Sequence, residues 1–169
     1  MSSPAPAAAP AAAQAAGFQR VSAALAARGH AHAPRWLEVA ARTSQQAADA
    51  LGVALGQIAK SVVFRRLADG AAVVVIASGD RRIDERRLAA LAGPVGRADA
   101  DFVRERTGFA IGGVSPVALG GEPVLLLDRE LQRFEVIWAA AGHPNGVFRL
   151  TPAELHALTA APWVEVVQP

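Results

Sequence analysis

The sequence predicts an α+β fold: a mixed, curved, barrel-like β-sheet flanked by short helices. Three observations predict it. Short apolar runs rich in Val, Ile and Leu recur along the chain, among them Ser61–Arg66, Ala71–Ala77, Val124–Leu127 and Val147–Leu150. The helical patterns between them are short and bounded by Thr, Asp, Gly or Pro, the ordinary start and stop residues. Strand and helix do not alternate regularly, so a plain parallel βαβ array is not indicated. At 169 residues the chain is read as one domain able to bury a sound core. With 52% hydrophobic and 19% charged residues it has the balance of a compact domain rather than a disordered one.

Residues 1–16, rich in Ala and Pro, read as a flexible tail, and residues 17–169 as the single domain. Phe18, Val21 and Leu25 share one face of a helix that Gly29 stops. The segment 30–34 is a loop, and Trp36–Val39 reads as a short strand. Thr43 with Gln46 fits a capping box for a helix that ends at Gly52. A turn or short helix over 53–58 leads to Lys60, and Ser61–Arg66 is a strand. Asp69-Gly70 marks a hairpin turn into Ala71–Ala77, a strand apolar on both faces.

Ser78–Arg82 is a polar loop, of a kind more often solvated than functional. Ile83–Leu91 is a helix with Ile83, Leu88 and Leu91 inward and Asp84-Glu85 at its negative start. Asp99 or Asp101 caps a short helix to about Arg106. The run Thr107–Pro116 is strand-like but interrupted by Gly108, Gly112, Gly113 and Pro116, a pattern of bulges or close backbone approach. Strands are expected at Val124–Leu127, Phe134–Trp138, Val147–Leu150 and Trp163–Val167. A helical turn falls at Asp128–Leu131, and Thr151-Pro152-Ala153-Glu154 is a capping box opening a helix to Leu158.

Net charge is only +2, so an RNA or DNA partner has to be argued from local patches. Zero cysteines exclude disulfides, thiol nucleophiles and thiolate metal sites, which is compatible with a cytoplasmic location. The longest apolar runs fall far short of the roughly 20 residues of a membrane helix, and the N-terminus lacks the pattern of a signal peptide. No Walker motif, Gly-x-Gly-x-x-Gly or Gly-x-Ser-x-Gly is present. His30 and His32 lack a nearby third ligand, so a metal site there is not expected.

Three stretches are candidates for chemistry. Lys60 is the single lysine among 17 basic Lys and Arg residues, a mobile point charge in a chain that otherwise writes Arg. Gly112-Gly113-Val114-Ser115-Pro116 and Ala141-Gly142-His143 are small-residue loops beside expected strands. Such loops let a ligand approach the backbone, whose N–H groups can bind a carbonyl or a developing oxyanion. Each also has a bland reading: a solvated lysine, a strand bulge, a loop histidine.

Five motifs in order give the chain a resemblance. They are Gln57–Phe64, Gly79–Asp84, Thr107–Pro116, Ala141–His143 and Leu150–Leu155. Together they resemble the YbaK/prolyl-tRNA synthetase-associated domain family, over about residues 18–167. That family consists of aminoacyl-tRNA deacylases, some free-standing and one branch inserted in bacterial prolyl-tRNA synthetase. The resemblance implies a trans-editing hydrolase acting on the ester of mischarged tRNA. The family's lysine matches Lys60, which would hold the tRNA 3′-terminal adenosine region or the aminoacyl ester. Its Gly-x-x-x-Pro loop matches Gly112 to Pro116, with the amides of Gly112 and Gly113 as oxyanion donors. Its small-residue loop matches Ala141-Gly142-His143, which makes His143 a pocket residue.

On this resemblance water attacks the ester carbonyl, assisted by the vicinal ribose hydroxyl, and no metal or cofactor is called for. Ala110, Ala141, Val62 and Ile111 are the residues expected to shape a small aliphatic pocket. The Arg pairs 65–66, 81–82 and 86–87 are the expected phosphate contacts. So small a net charge implies weak tRNA binding, or a synthetase or elongation factor as carrier. The alternatives are a non-catalytic module of the same fold that binds aminoacyl-tRNA or another ligand, and a general small-ester hydrolase.

Overall fold

The computed structural model describes residues 15–169, so residues 1–14 of the expected tail lie outside the described residues. Five α-helices are described: α1 (Ala16–Ala27), α2 (Ser44–Leu51), α3 (Glu85–Ala92), α4 (Ala100–Thr107) and α5 (Pro152–Thr159). The strands are β1 (Arg35–Trp36), β2 (Ile58–Arg66), β3 (Ala72–Ser78), β4 (Val95–Arg97), β5 (Val124–Asp128), β6 (Ile137–Ala140), β7 (Gly146–Leu150) and β8 (Trp163–Val164). Two 3₁₀ turns, Leu55–Gln57 and Arg129–Arg133, feed β2 and follow β5.

The strands form one mixed sheet in the order β1-β7-β6-β2-β3-β5-β8, with β4 added to β2. The sheet is curved but does not close: its strand path ends at β1 and β8, so the barrel-like sheet expected from the sequence stays open. β2–β3 and β6–β7 are antiparallel pairs, while β2–β6, β3–β5 and β5–β8 run parallel. β3 is buried on both faces, as its unbroken Ala-Val-Val-Val-Ile-Ala run demands. Its alternate residues divide between two cores. Val74 and Ile76 join Val21, Leu25, Phe109, Phe148 and Leu155 on one face. Val73, Val75 and Ala77 pack with Leu88 and Val166 on the other. A third cluster, Ala47, Ala48 and Ile58, seats α2 at the start of β2.

Local chemistry places most ends. Thr43 accepts from the Gln46 amide (3.1 Å), and Gln46 reaches back to the Arg42 amide (2.8 Å), one residue earlier than a standard capping box. Asp99, not Asp101, caps α4 by accepting from Phe102 (2.8 Å). The Thr151–Glu154 box is reciprocal, as expected. Gly70 takes φ +72° in the β2–β3 turn, and Arg66 grips Asp69 there with two bonds of 3.0 and 2.8 Å.

Elsewhere tertiary packing moved the boundaries. β2 begins at Ile58, three residues before the expected start, because Ile58 and Ala59 pair with Trp138 and Ala139 of β6. Lys60 therefore lies within the strand, not before it. β6 begins at Ile137 because the 3₁₀ turn takes the chain to Arg133, and Phe134 turns into the core. Leu91 is 50% exposed rather than inward. β4, unforeseen, pairs with Phe64–Arg66. Residues 108–123 form no strand: the loop is buried from Gly113 to Val117 and carries Gly112 at φ +89°.

Two glycines dock the turn before β2 onto the end of β3. A Cβ on Gly79 would stand 2.5 Å from the Leu55 carbonyl oxygen, and one on Gly56 would stand 2.6 Å from the Phe134 ring. Gly79→Ala should lower stability by about 1–3 kcal/mol through this overlap. Urea titration checks it: a lower midpoint at unchanged slope is expected, and an unchanged midpoint would show that the contact is slack.

Candidate functional site

β2 changes partners along its length, and the site lies where it does so. Its first two residues pair with β6 and its last three with β4, leaving Lys60–Val63 with no ladder partner on that side among the described residues. A cavity of ≈ 260 Å³ opens at this gap. Its walls come from β2 (Ile58 to Ser61), β6 (Trp138 to Ala140), the start of α2 (Thr43, Ser44, Ala47), and Ile111, Gly112 and Val114. Some wall residues belong to the cluster on one face of the sheet (Ala59, Val114, Ala139) and others to the cluster on the opposite face (Ala47, Ile58, Trp138). The cavity thus passes through the opening left along β2 between its β6 and β4 pairings. Its lining is mostly small and aliphatic, with two cations, Lys60 and Arg42, and no carboxylate among the described residues.

Lys60 borders this cavity and also a wide groove of ≈ 950 Å³ on the face it shares with Val62, Phe64, Arg82 and Arg86. Its Nζ donates to the Arg81 carbonyl (2.7 Å), which uses one of the three ammonium donors. Burial pulls its pKa below the ordinary lysine value, and the carboxylates of Asp128 and Asp80 work against that pull. The Arg81 carbonyl is itself held. Arg81 donates to Glu130 (3.2 and 3.0 Å). Arg133 donates to Asp80 Oδ1 (2.8 Å) and Ser78 Oγ (2.8 Å). The Ser78 hydroxyl donates to the Gly56 carbonyl (2.5 Å), and its amide to Asp128 (3.0 Å). Asp128 is fully buried, which raises its pKa; Asp80 is lowered, chiefly by its bond to Arg133. The loop read from sequence as solvated is therefore a built support. Ser78, Asp128, Glu130 and Arg133 were missed because their partners are far away in the chain.

The two small-residue loops meet. A Cβ on Gly113 would lie 2.7 Å from the His143 backbone nitrogen, and one on Gly112 would lie 3.5 Å from the Pro144 ring. Gly113 donates its amide to the Ala110 carbonyl (2.9 Å), so its contribution is the close approach to His143. Gly112 sits exposed at the cavity rim with Ile111, which is 57% exposed. His143 packs its ring, tilted by 31°, against Trp36 at 4.7 Å, and its Nδ1 accepts from the Asn145 amide (3.1 Å). Burial alone lowers its pKa. Segment 37–41 clamps the same loop through Leu37–Asn145 bonds of 2.6 and 2.8 Å and an Ala41–Pro144 bond of 2.9 Å.

The remaining expected residues lie elsewhere. Pro116 borders a separate cavity with Ala24, Arg28 and Leu158. Ala141 is fully buried in the main core. Gly142, at φ +87°, packs against the Gly17 backbone. Val62 faces the groove rather than the cavity. Of the Arg pairs, one member of each is neutralised: Arg66 by Asp69, Arg81 by Glu130, Arg87 by Asp84. Arg82 and Arg86 border the groove with Lys60 and form no ion pair among the described residues. Arg65 lies over the Phe102 ring at 5.7 Å. His30 is a packing residue, bonded to the Arg149 carbonyl (2.8 Å) and edge-on to Phe148.

A family model described as "Aminoacyl-tRNA editing domain" matches residues 38–158. The chain belongs to that family. The editing domain is 37% identical over 131 residues to the uncharacterized protein YwhH of Bacillus subtilis, covering 76% of this chain and 83% of that one. It is 27% identical over 126 residues to EbsC of Enterococcus faecalis, named as a candidate Cys-tRNA(Pro)/Cys-tRNA(Cys) deacylase, covering 73% and 76%. A crystal structure of a candidate trans-editing enzyme for prolyl tRNA synthetase superposes with TM-score 0.84 at 39% identity, covering 91% of this chain and 98% of the other. Among the described residues no helix is long and apolar enough to cross a membrane.

The His143 environment makes a pH prediction. Its folded pKa is below the ordinary value, so the unfolded chain binds the proton first as pH falls. Protonation also removes the acceptor that holds the Asn145 amide. Stability should therefore fall on acidification below about pH 6.5, and His143→Gln should flatten that fall. Melting temperatures of both proteins at pH 7 and pH 5 decide it; parallel losses would remove His143 as the cause.

Proposed function

We propose that this editing domain hydrolyses the ester of mischarged aminoacyl-tRNA in trans, releasing a small amino acid and the free tRNA 3′ end. The observation that carries the reading is the meeting of Lys60 and Gly112 at one small aliphatic cavity in a member of the editing family. The ester carbonyl carbon is attacked by water, the bond to the ribose oxygen breaks, and that oxygen takes up the proton. The vicinal ribose hydroxyl assists the water, because no carboxylate borders the cavity to act as base.

Lys60 supplies the positive charge. It is anchored by one donor on the Arg81 carbonyl and keeps two for the substrate's terminal phosphate or ester. The Gly112 amide is the oxyanion donor at the rim, a kind of contact worth about 3–4 kcal/mol in the transition state. The acyl side chain enters the wall of Ala47, Ala59, Ala139 and Ala140, which suits a small group. Shape alone separates neighbours differing by one methylene by only ~1–3 kcal/mol, which is the reason editing needs a site of its own. The RNA strand runs along the groove past Arg82 and Arg86. Binding through so few free cations is weak, which favours delivery by a synthetase or an elongation factor.

A deacylation panel over alanyl-, seryl-, threonyl- and cysteinyl-tRNA tests the activity. Turnover of at least one is expected, and Lys60→Ala should cut kcat/KM by about a hundredfold, the scale of one preorganised charged contact. Charged tRNA bound without turnover would instead identify a binding module. The groove makes a separate prediction. Arg82→Glu with Arg86→Glu should raise KM and flatten its salt dependence, by a slope of ~0.7 per lost phosphate contact for a single strand. An unaltered salt slope would move the RNA path off this face.

A further inference from the structure

The gap in the sheet singles out Ser61. In an antiparallel pair alternate residues bond the neighbour. The Ile58 carbonyl accepts from Gly79 (2.8 Å) and the Arg66 amide donates to Ala71 (2.8 Å), both on the β3 side. The intervening residues Ala59, Ser61, Val63 and Arg65 therefore turn their amides and carbonyls the other way. Ala59 meets β6 and Arg65 meets β4; Ser61 and Val63 fall between the two ladders, and of these two only Ser61 lines the cavity. Its hydroxyl oxygen is buried and has no hydrogen-bond partner among the described residues. Both the side chain and the backbone of Ser61 thus bring unmatched polar groups to the cavity wall. A buried hydroxyl left unpaired costs stability, and a site that binds a ligand polar group can recover it.

The rest of the wall narrows what that ligand group is. Lys60, the Arg42 guanidinium and the Gly112 amide are donors, suited to phosphate, carbonyl or oxyanion. The Thr43 hydroxyl oxygen is committed to the Gln46 amide, while Ser44, also on the wall, is partly exposed at the start of α2. With no carboxylate on the wall, a cationic ligand group has to be held by neutral oxygens. The aminoacyl end of the substrate carries one such group, its α-ammonium. We propose that Ser61 grips the α-ammonium of the aminoacyl ester through its hydroxyl oxygen and main-chain carbonyl, and so makes the site selective for an acyl group with a free amine. This rests on the deacylase reading and names the part of the substrate that Ser61 reads.

The test pairs the aminoacyl-tRNA that the wild type hydrolyses fastest with the same tRNA carrying the deaminated acyl group, propionyl in place of alanyl. Ser61→Ala should slow the aminoacyl substrate roughly tenfold, the scale of one hydrogen bond to a charged group, and change the propionyl substrate less than about twofold. Ser61→Thr and Ser61→Val share a shape and differ in the hydroxyl, so Thr should restore the amine preference and Val should not. Equal slowing of both substrates by Ser61→Ala, or equal behaviour of the Thr and Val variants with folding intact by thermal melt, overturns the assignment while leaving the deacylase reading standing. A wild type inactive on every aminoacyl-tRNA overturns both.

Discussion

The structure depends on one constraint: β2 is shared between two partners and is too long for either. β6 takes its first two residues and β4 its last three, and four residues between them face no strand on that side. An unpaired stretch in the middle of a sheet is costly, since backbone donors and acceptors lose their ladder without gaining bulk water. Edges are normally shortened, twisted or covered. Here the opening is walled instead, by α2 and by the loop carrying Gly112, and a cavity remains. The same opening lets residues from both faces of the sheet reach one space, which a continuous sheet forbids. Lys60 and Ser61 are adjacent in sequence and point to opposite faces, and both border the cavity.

The placement of Lys60 then rests on the loop after β3. Individually the ion pairs there are about one-third exposed and worth little as stability. Their value is geometric. Arg133 ties Asp80 to Ser78, Ser78 reaches the turn before β2, and Asp128 binds the Ser78 amide from β5. Three separate parts of the chain thus fix the carbonyl that orients the ammonium. Gly56 and Gly79 are part of this support, because a side chain at either would hold the two segments apart. Two carboxylates near Lys60 oppose part of the effect of its burial, and its pKa stays below the ordinary lysine value.

How much of this was legible in the sequence follows from how local each signal is. The caps at Thr43, Asp99 and Thr151, the Asp69-Gly70 turn and the fully apolar β3 are written within a few residues, and the structure keeps them. Lys60 stood out by composition, and the two glycine loops by their lack of bulk. Their convergence at Gly113 and His143 is a long-range packing event with no local trace. The β2–β6 pairing, which sets the start of β2 and creates the gap, joins residues far apart in the chain. Pro116 and Ala141 matched a motif, but a motif does not say on which side of a buried loop a residue emerges. Pro116 faces another cavity and Ala141 the core. Ser61 left no signal at all, because a serine in a strand looks ordinary until the neighbouring strand is seen to be missing.

The polarity of the cavity wall bears on how such a site works. A wall of mostly small aliphatic residues with two cations, Lys60 and Arg42, and no carboxylate among the described residues cannot supply a strong general base. Under the proposed reading the chemistry shifts to the substrate, whose ribose hydroxyl lies beside the ester. The protein then contributes a fixed charge, an amide at the rim and a shape. Such a division demands accurate positioning, because a substrate held loosely gains nothing from its own hydroxyl. That requirement accounts for the weight of structure placed behind Lys60, and for the use of backbone contact at Gly113 where a flexible side chain would leave the loop free to drift. The same requirement fits a site at a break in the sheet, where the strands on both sides of the opening are held by their own ladders.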